Sequence, residues 1–357
     1  MATVLDPPNA QAFRNATLLV QMQTAAETKA ARQTETITNE YTQKIDSVNL
    51  EADRWTALED DIAQVSSRLD GTVGRLEAIR KKLDTLIQTV NKAAQSTEET
   101  PNYAGYATTF DSFLRSLDSS ADGGYDRPNL LGRSEPTLEY YTTIHGATAR
   151  VSGAYVGTGY QLDQTDGNGL WLPDLSARSL TKYLEYPGDP TTTSASFASG
   201  LQLDSINGDE VTFTVGADTA SPETITANLT RKGLGVLNAW YYDGLATEDG
   251  RALALSELND AKQALDLEIS RYELAQTVAS FYQDRATTTL EGFRKETNDL
   301  LLEQAAAIGK AQEELNRSFQ AATSNVALAL SSRNNYNTLF TPFLSDRITA
   351  IFTNLTV

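Results

Sequence analysis

The side chains that could hold a cation lie in one short stretch, Asp163-Gln-Thr-Asp-Gly-Asn-Gly169. Carboxylate and amide oxygens are the ligands that Ca²⁺ prefers in proteins. Their spacing departs from an EF-hand loop, because Gly167 falls one residue early and the closing Glu is absent. We therefore interpret the stretch as a turn and expect neither a metal site nor a bound cofactor.

The chain has few of the residues that nucleophilic or thiolate chemistry requires. The sequence holds a single histidine, His145, and no cysteine. Zinc sites built from Cys and His are thereby excluded, whereas oxygen-ligand sites for Ca²⁺ or Mg²⁺ are not. We interpret His145, at the end of a predicted strand, as structural or exposed. Carboxylates are abundant, but no feature singles out two of them as the acidic pair of a glycosidase.

Aromatic and glycine clusters also suggest binding sites at first sight. Trp171, Trp240, Tyr241 and Tyr242 could form a platform for a sugar ring, yet aromatic residues beside strands more often belong to the core. The pairs in Gly157-Thr-Gly159 and Gly233-Leu-Gly235 lack the third glycine of a dinucleotide loop, so we interpret both as turns. We therefore predict no catalytic, cofactor-binding or metal-binding residues, and a protein that is not an enzyme.

The amino-acid composition limits which kinds of partner the chain can bind. The chain has 357 residues, 40% of them hydrophobic, and a formal net charge of −18. This charge argues against nucleic acid and anionic membranes, which bind cationic surfaces. No run approaches the roughly 18 apolar residues of a membrane span. The opening residues contain no basic segment followed by an apolar core, so we expect no Sec signal peptide.

The chain is organised around a heptad pattern between residues 55 and 93. More than five heptads in register predict a coiled coil or long bundle helix, about 60 Å long, which requires a partner helix. The predicted seam residues on this helix are Trp55, Leu58, Ile62, Val65, Leu69, Leu76, Ile79, Leu83, Leu86 and Val90.

A second heptad pattern, between about residues 247 and 332, supplies that partner. Its predicted seam residues are Leu258, Leu265, Tyr272, Phe293 and Leu300, with Ala279 and Ala286 between them. After a shift of one residue the stripe continues through Leu301, Ile308, Leu315 and Ala322. With one stripe at each end of the chain, the two helices are predicted to pair antiparallel.

Between the helices the sequence changes to short alternating runs with turn residues. The predicted strands include 138–144, 149–156, 160–162, 210–215 and 224–230, and we expect residues 187–199 to form a surface loop. The predicted fold class is α+β, a long antiparallel pair of N- and C-terminal helices with an inserted mainly-β domain. The predicted divisions are 1–100 N-terminal helical, 101–124 connecting, 125–239 β domain and 240–357 C-terminal helical.

Apolar residues near both ends of the chain are candidate subunit contacts. They are Leu18, Leu19, Val20, Met22, Leu339, Phe340, Phe343, Leu344, Ile348, Ile351, Phe352 and Leu355. Two readings of the C-terminal group stay open. It makes contacts between subunits, or it folds back onto residues 18–22 and caps its own bundle.

The stretch from Val236-Leu-Asn-Ala-Trp240 through Ala254-Leu-Ser-Glu-Leu-Asn-Asp-Ala-Lys-Gln-Ala-Leu265 to Ser280 resembles the C-terminal pattern of flagellins. In that pattern the chain leaves an outer domain and enters an Ala/Leu/Asp-rich helix. The likeness covers about forty residues in sequence and most of the chain in architecture. The flagellin opening with its Arg-Leu-Ser-Ser-Gly is absent, and Ser66-Ser-Arg-Leu69 gives only part of it in another order. The resemblance therefore fits a divergent, flagellin-like axial protein.

The resemblance implies a structural subunit of a secreted, self-assembling filament. Its helical ends would form the core and its β domain would be exposed. The implied partners are copies of itself or other axial proteins, together with an export chaperone; no nucleic acid and no membrane span are expected. The implied location is extracellular, in a cell-surface filament of a motile bacterium. The alternatives are an interaction protein, of the type III needle-tip, translocator, phage-tail or adhesin kind, and a polysaccharide hydrolase acting through the β domain.

Overall fold

The computed structural model describes residues 8–96, 101–122, 130–131, 136–174 and 178–331. Its helices are α1 (Pro8–Ala94), α2 (Tyr103–Ala121) and α3 (Glu248–Ser331), and a 3-10 helix spans Ala239–Leu245. The strands all lie between α2 and the 3-10 helix in chain order. The predicted α+β class, with long helices at the two ends of the chain and an inserted β domain, is confirmed.

The helix ends follow from local chemistry. At the start of α3, Oγ1 of Thr247 accepts a hydrogen bond of 3.1 Å from the backbone N–H of Gly250, as an N-cap residue does. Glu248 and Asp249 fill the first turn, where negative charge is favoured by the helix dipole. Asn102 caps α2 in the same way, with its Oδ1 3.0 Å from the N–H of Gly105. These caps set the points where the chain enters each helix.

By its contacts the chain divides into a terminal unit, residues 1–54 and 289–357, and a core unit, residues 55–288. Within the core unit α1 and α3 run antiparallel in a single register. Lys262 Nζ lies 2.5 Å from Oδ1 of Asp84, and Thr287 Oγ1 lies 2.6 Å from Oε1 of Glu59. These contacts are 25 residues apart on each helix, in opposite directions along the chain. The paired length is therefore about 37 Å.

Among the described residues, the β domain has one large sheet and a separate hairpin. The described part of the sheet has seven strands, and every neighbouring pair in it is antiparallel. The hairpin strands are β1 (Pro136–Tyr141) and β2 (Thr148–Ser152). The sheet strands, in spatial order, are β6 (Pro190–Ser196), β5 (Ser179–Tyr183), β4 (Leu170–Pro173), β3 (Tyr160–Gln164), β9 (Glu223–Arg231), β8 (Glu210–Val215) and β7 (Leu201–Asn207).

The prediction of a surface loop over residues 187–199 was wrong, because β6 occupies most of it. β6 lies at the edge of the sheet, so only one side of its backbone pairs, and its side chains are mostly exposed. A threonine- and serine-rich strand of this kind shows no apolar alternation in the sequence. Pro190 at its first residue is the position that proline tolerates in a strand.

A core of aromatic side chains lies where the sheet meets the 3-10 helix. Trp171 and Phe213 make an edge-on contact, with ring centroids 6.2 Å apart, and Phe213 lies 5.6 Å from Trp240. Tyr242 in turn contacts Phe110 of α2, with centroids 5.8 Å apart. All five side chains are buried. The 3-10 helix thereby ties α2 and the sheet to the base of α3.

Candidate functional site

Few side chains of the terminal unit are completely buried, although a stripe of them is half-buried. Among its described side chains, residues 16–54, 289–326 and 328, only Leu290 and Thr323 are buried. In the core unit, by contrast, α1 buries a nearly continuous row from Leu58 to Ala93. Because most helical stability in proteins comes from packing an apolar face, a helical pair that is mostly half-buried gains less stability from packing than the core unit does.

Large apolar side chains in the terminal unit are exposed instead. Of the predicted subunit contacts, Leu18 is 45% exposed and Val20 51%, while Leu19 and Met22 are half-buried. On α3, Leu302 is 69% exposed, and Leu301 and Leu328 are exposed as well. The remaining predicted contacts, from Leu339 to Leu355, lie outside the described residues. The exposed apolar side chains are therefore the candidate site for contact with other chains.

A groove on α1 lies beside the first of these residues. It is lined by Val20, Gln21, Thr24, Ala25, Thr28, Lys29 and Arg32. Two of the seven lining side chains are cationic in a chain of net charge −18. Farther along, Lys44 of α1 has its pKa raised mainly by its hydrogen bond with Glu40 and also by the charge of Glu303 on α3. Cationic side chains therefore lie along this part of α1 in a chain that is acidic overall.

The predicted seam residues of the core unit lie at the centre of the helical pair. On α1, Leu58, Ile62, Val65, Leu69, Leu76, Ile79, Leu83, Leu86 and Val90 are all buried, and Trp55 is half-buried. On α3, Leu258, Leu265 and Tyr272 are completely buried. Phe293 and Leu300, in the terminal unit, are half-buried. Burial therefore decreases along α3 from the core unit into the terminal unit.

Two aspartates of α2 hold the β domain in place. Oδ1 of Asp111 accepts hydrogen bonds from the backbone N–H of Ala239 and from Nδ2 of Asn238, at 2.8 and 3.3 Å. Asp118 accepts from the backbone N–H and the hydroxyl of Thr158, at 2.8 and 2.7 Å. Burial raises the pKa of Asp111 to about 6 and also raises the pKa of Asp118. These bonds position the β domain on the helices.

The base of α3 carries a buried ionic network. Oε1 of Glu257 pairs with Nη1 of Arg231 at 2.6 Å, and its Oε2 accepts the hydroxyl hydrogen of Tyr242 at 2.5 Å. The Tyr242 hydroxyl accepts in turn from the backbone N–H of Leu237 at 3.0 Å. Burial raises the pKa of Glu257. Since both carboxylate oxygens already have partners, this glutamate serves to fix α3 to strand β9 and the 3-10 helix.

The residues that suggested chemistry are placed in structural roles. Asp163 and Gln164 end β3, and residues 165–169 form the turn between β3 and β4, with Asp166 accepting hydrogen bonds from Asn168. His145 is exposed in the turn after β1. Trp171, Trp240, Tyr241 and Tyr242 are all buried, with ring contacts between Trp240 and Tyr241 and between Tyr241 and Tyr242, so these four side chains offer no open aromatic surface to a sugar. No group of three or more His, Cys, Asp or Glu side chains among the described residues is placed to bind a metal.

Sequence reasoning missed four exposed apolar residues on α3, which are Leu267, Leu274, Val278 and Phe281. A signal for them is present, because 267, 274 and 281 repeat at the same seven-residue spacing as the seam. The pattern alone does not tell which of two stripes faces α1. Within the part of the chain that the structure describes, no helix is both long enough and apolar enough to cross a membrane.

Several solved structures of flagellar proteins show a distant likeness to this chain. One is flagellar hook-associated protein-3 from Legionella pneumophila, 13% identical, with a TM-score of 0.32, covering 77% of this chain and 99% of that protein. FlgL from Xanthomonas campestris is 11% identical, with a TM-score of 0.31, and covers 66% of this chain and 97% of that one. The flagellar junction protein FlgL from Legionella pneumophila is 14% identical, with a TM-score of 0.29, covering 78% and 99%.

At TM-scores near 0.3 these likenesses carry no argument about this chain. No protein-family model matches the sequence, and no curated protein matches it.

Proposed function

We propose that this protein is a structural subunit of a self-assembling, extracellular filament, a flagellin-like axial protein. The observation that carries the proposal is that the terminal unit buries few side chains completely and leaves large apolar ones exposed. Two helical segments of about forty residues each leave Leu18, Val20, Leu301, Leu302 and Leu328 exposed. Association with other copies would cover these side chains and add to the partial packing within the unit.

The acidic composition supports the same role. At a formal net charge of −18, free subunits repel one another and stay in solution. Incorporation then depends on many small apolar contacts acting together along a polymer. In this arrangement the terminal helices form the inner core, residues 125–239 face outward, and the partners are copies of the chain or other axial proteins. Export from the cell would involve a chaperone.

A sedimentation experiment with matched variants tests the proposal. Leu302 of the terminal unit is 69% exposed and Leu184 of the β domain is 72% exposed. High-speed pelleting of the full chain at rising concentration gives the critical concentration of assembly. We expect L302Q to raise it and L184Q to leave it unchanged. Equal effects of the two substitutions, or no pelleting of the unmodified chain, would contradict a contact role for the terminal unit.

A second candidate function is an interaction protein whose β domain binds a partner, as in needle-tip, phage-tail or adhesin proteins. Exposed side chains at the β5–β6 turn favour it, since Leu184 is 72% and Tyr186 59% exposed. Shortening both ends of the chain distinguishes the two candidates. A filament subunit loses assembly on shortening, whereas a binding module keeps its partner affinity and instead loses it through L184Q.

A further inference from the structure

The chain enters α3 through a left-handed backbone turn. Asp243, Gly244 and Leu245, which end the 3-10 helix, have φ of +51°, +60° and +62°. Residues other than glycine avoid this region because their Cβ comes too close to the following carbonyl oxygen, and they enter it singly rather than in runs. Asp243 and Leu245 are the only non-glycine residues with positive φ in the described part of the chain. Strain of this kind is therefore concentrated in residues 243–245, which we call the connector.

Arg251 of α3 binds the end of the connector. Its Nη1 donates hydrogen bonds to the carbonyl oxygens of Leu245 and Ala246, both at 2.9 Å. Its guanidinium group also lies over the ring of Tyr103 at the start of α2, 5.7 Å from the ring centroid. A strained backbone persists only where the surrounding structure fixes it from several sides. Arg251 thus connects the strained residues to two helices at once.

Further contacts fix the residues on either side. Oδ2 of Asp243 accepts a hydrogen bond from the hydroxyl of Thr247 at 2.7 Å. Leu245 is completely buried, and this burial explains a leucine where glycine would adopt the same φ without strain. The carbonyl oxygen of Tyr242 lies so near Gly250 that a Cβ there would be 2.4 Å from it. Packing against α3 therefore holds the connector against its own backbone preference.

The residues next to the connector show what its relaxed conformation would be. Ala246, directly after it, has φ of −80° and ψ of −32°, which are right-handed helical angles. Only Ala246 and Thr247 separate the 3-10 helix from α3. With right-handed angles at residues 243–245, the two helices would become one continuous helix. Local backbone energetics favour that conformation over the left-handed one.

We propose that the connector is a strained joint between the β domain and α3, held by Arg251, and that its relaxation joins the 3-10 helix to α3. Relaxation rotates the segment before the connector relative to α3. The backbone N–H of Ala239 then leaves Asp111, and the N–H of Leu237 leaves the hydroxyl of Tyr242. The β domain thereby changes its position on the helices while its sheet stays intact. The inference concerns a single chain and does not depend on assembly.

The strained conformation is the major one. Trp240 and Tyr242 are buried in the aromatic core, and relaxation withdraws them from it at a cost in apolar burial. Loss of the Arg251 contacts, or of the conformational freedom of Gly244, shifts the balance towards the relaxed conformation. Both changes act on the connector and leave the aromatic core as it is. Variants at these two residues therefore raise the population of the minor conformation.

Amide hydrogen exchange followed by mass spectrometry tests the inference in the full chain, because it detects local opening. G244A adds a Cβ that meets nothing within 4 Å, so it increases strain and favours the helix without a clash. We expect exchange in residues 236–247 to become at least tenfold faster and exchange in residues 210–231 to stay unchanged. G208A, at a turn glycine with φ of +66° and equally open surroundings, is the control and should leave residues 236–247 unchanged.

R251M is a second variant, for the case in which G244A does not fold. It keeps a long, helix-forming side chain but removes both hydrogen bonds to the connector, and it should speed exchange in residues 236–247 several-fold. R150M, at an arginine whose side chain is 66% exposed, is its control and should have no effect there. Unchanged exchange in both connector variants would overturn the inference. An equal rise in residues 236–247 and 210–231 would do the same, since the connector would then open only with the whole domain.

Discussion

Lys262 Nζ of α3 lies 2.5 Å from Oδ1 of Asp84 on α1, directly beside the buried seam of the helical pair. The ion pair is partly open to solvent, with side chains 31% and 42% exposed. Leu265, one turn along α3, is completely buried. Substitutions at Lys262 and at Leu265 therefore measure, respectively, how much charge and how much packing contribute to the pairing of the helices.

We expect packing to dominate that pairing. L265A removes a buried leucine side chain and should lower the free energy of unfolding by about 2–5 kcal/mol. K262A removes a partly solvated ion pair and should cost about 1 kcal/mol or less. Urea denaturation followed by circular dichroism measures both values. A larger loss for K262A than for L265A would show that charge rather than packing holds the helices together.

The pH dependence of stability should reveal the buried Asp111. Its pKa of about 6 exceeds the value near 3.9 of an unfolded chain, so the folded protein binds more protons between these two pH values. Its ionisation therefore lowers the free energy of unfolding as pH rises from about 4 to about 6. D111N removes this titration and should lessen the fall in stability between pH 4 and 7 by up to about 3 kcal/mol.

Denaturant titrations of the unmodified chain and of D111N at pH 4 and pH 7 measure this difference. D284N, which changes an exposed aspartate, serves as the control and should follow the unmodified chain. Asp118 and Glu257 also have raised pKa values, but both are present in every variant. Identical pH profiles for D111N and the unmodified chain would contradict the assignment of a buried, perturbed carboxyl group.

Removal of one hydroxyl should weaken the base of α3. Y242F leaves the backbone N–H of Leu237 without its acceptor and deprives Glu257 of one of its two partners. An unsatisfied buried polar group costs about 1–3 kcal/mol, and we expect a loss of stability in that range. Y186F, at a tyrosine that is 59% exposed, is the control and should have no effect. Thermal unfolding monitored by circular dichroism distinguishes the two variants.

Comparing alanine substitutions at two glycines with the same φ angle distinguishes the cost of backbone strain from the cost of a steric clash. Gly233 and Gly208 both have φ of +66°, but a Cβ at Gly233 would lie 2.0 Å from the carbonyl oxygen of Gly157, whereas one at Gly208 would meet nothing within 4 Å. G208A should cost about 1 kcal/mol from the left-handed conformation alone. G233A should cost clearly more, because the backbone must move. Equal losses in denaturant titrations would show that Gly157 yields without cost.

The sequence predicted the helical parts well because their signal is local. A seven-residue repeat places Ile62, Leu69 and Leu76 on one stripe whatever the rest of the chain does, and these residues are buried. The same repeat could not tell Leu265 from Leu267, since the two stripes on α3 differ only in which one meets α1. The hydrogen bond from the backbone N–H of Ala239 to Asp111 joins residues that are 128 apart in the sequence, so no local sequence pattern predicts it.

The most direct test of the central claim is electron microscopy of the purified full chain in negative stain, across rising concentration and salt. Salt screens the repulsion between acidic copies, so filaments should appear above a critical concentration that falls as salt increases. The L302Q substitution should raise this critical concentration. Monodisperse particles at every concentration and salt would contradict a self-assembling subunit, and the β domain would then be the part to examine for a binding partner.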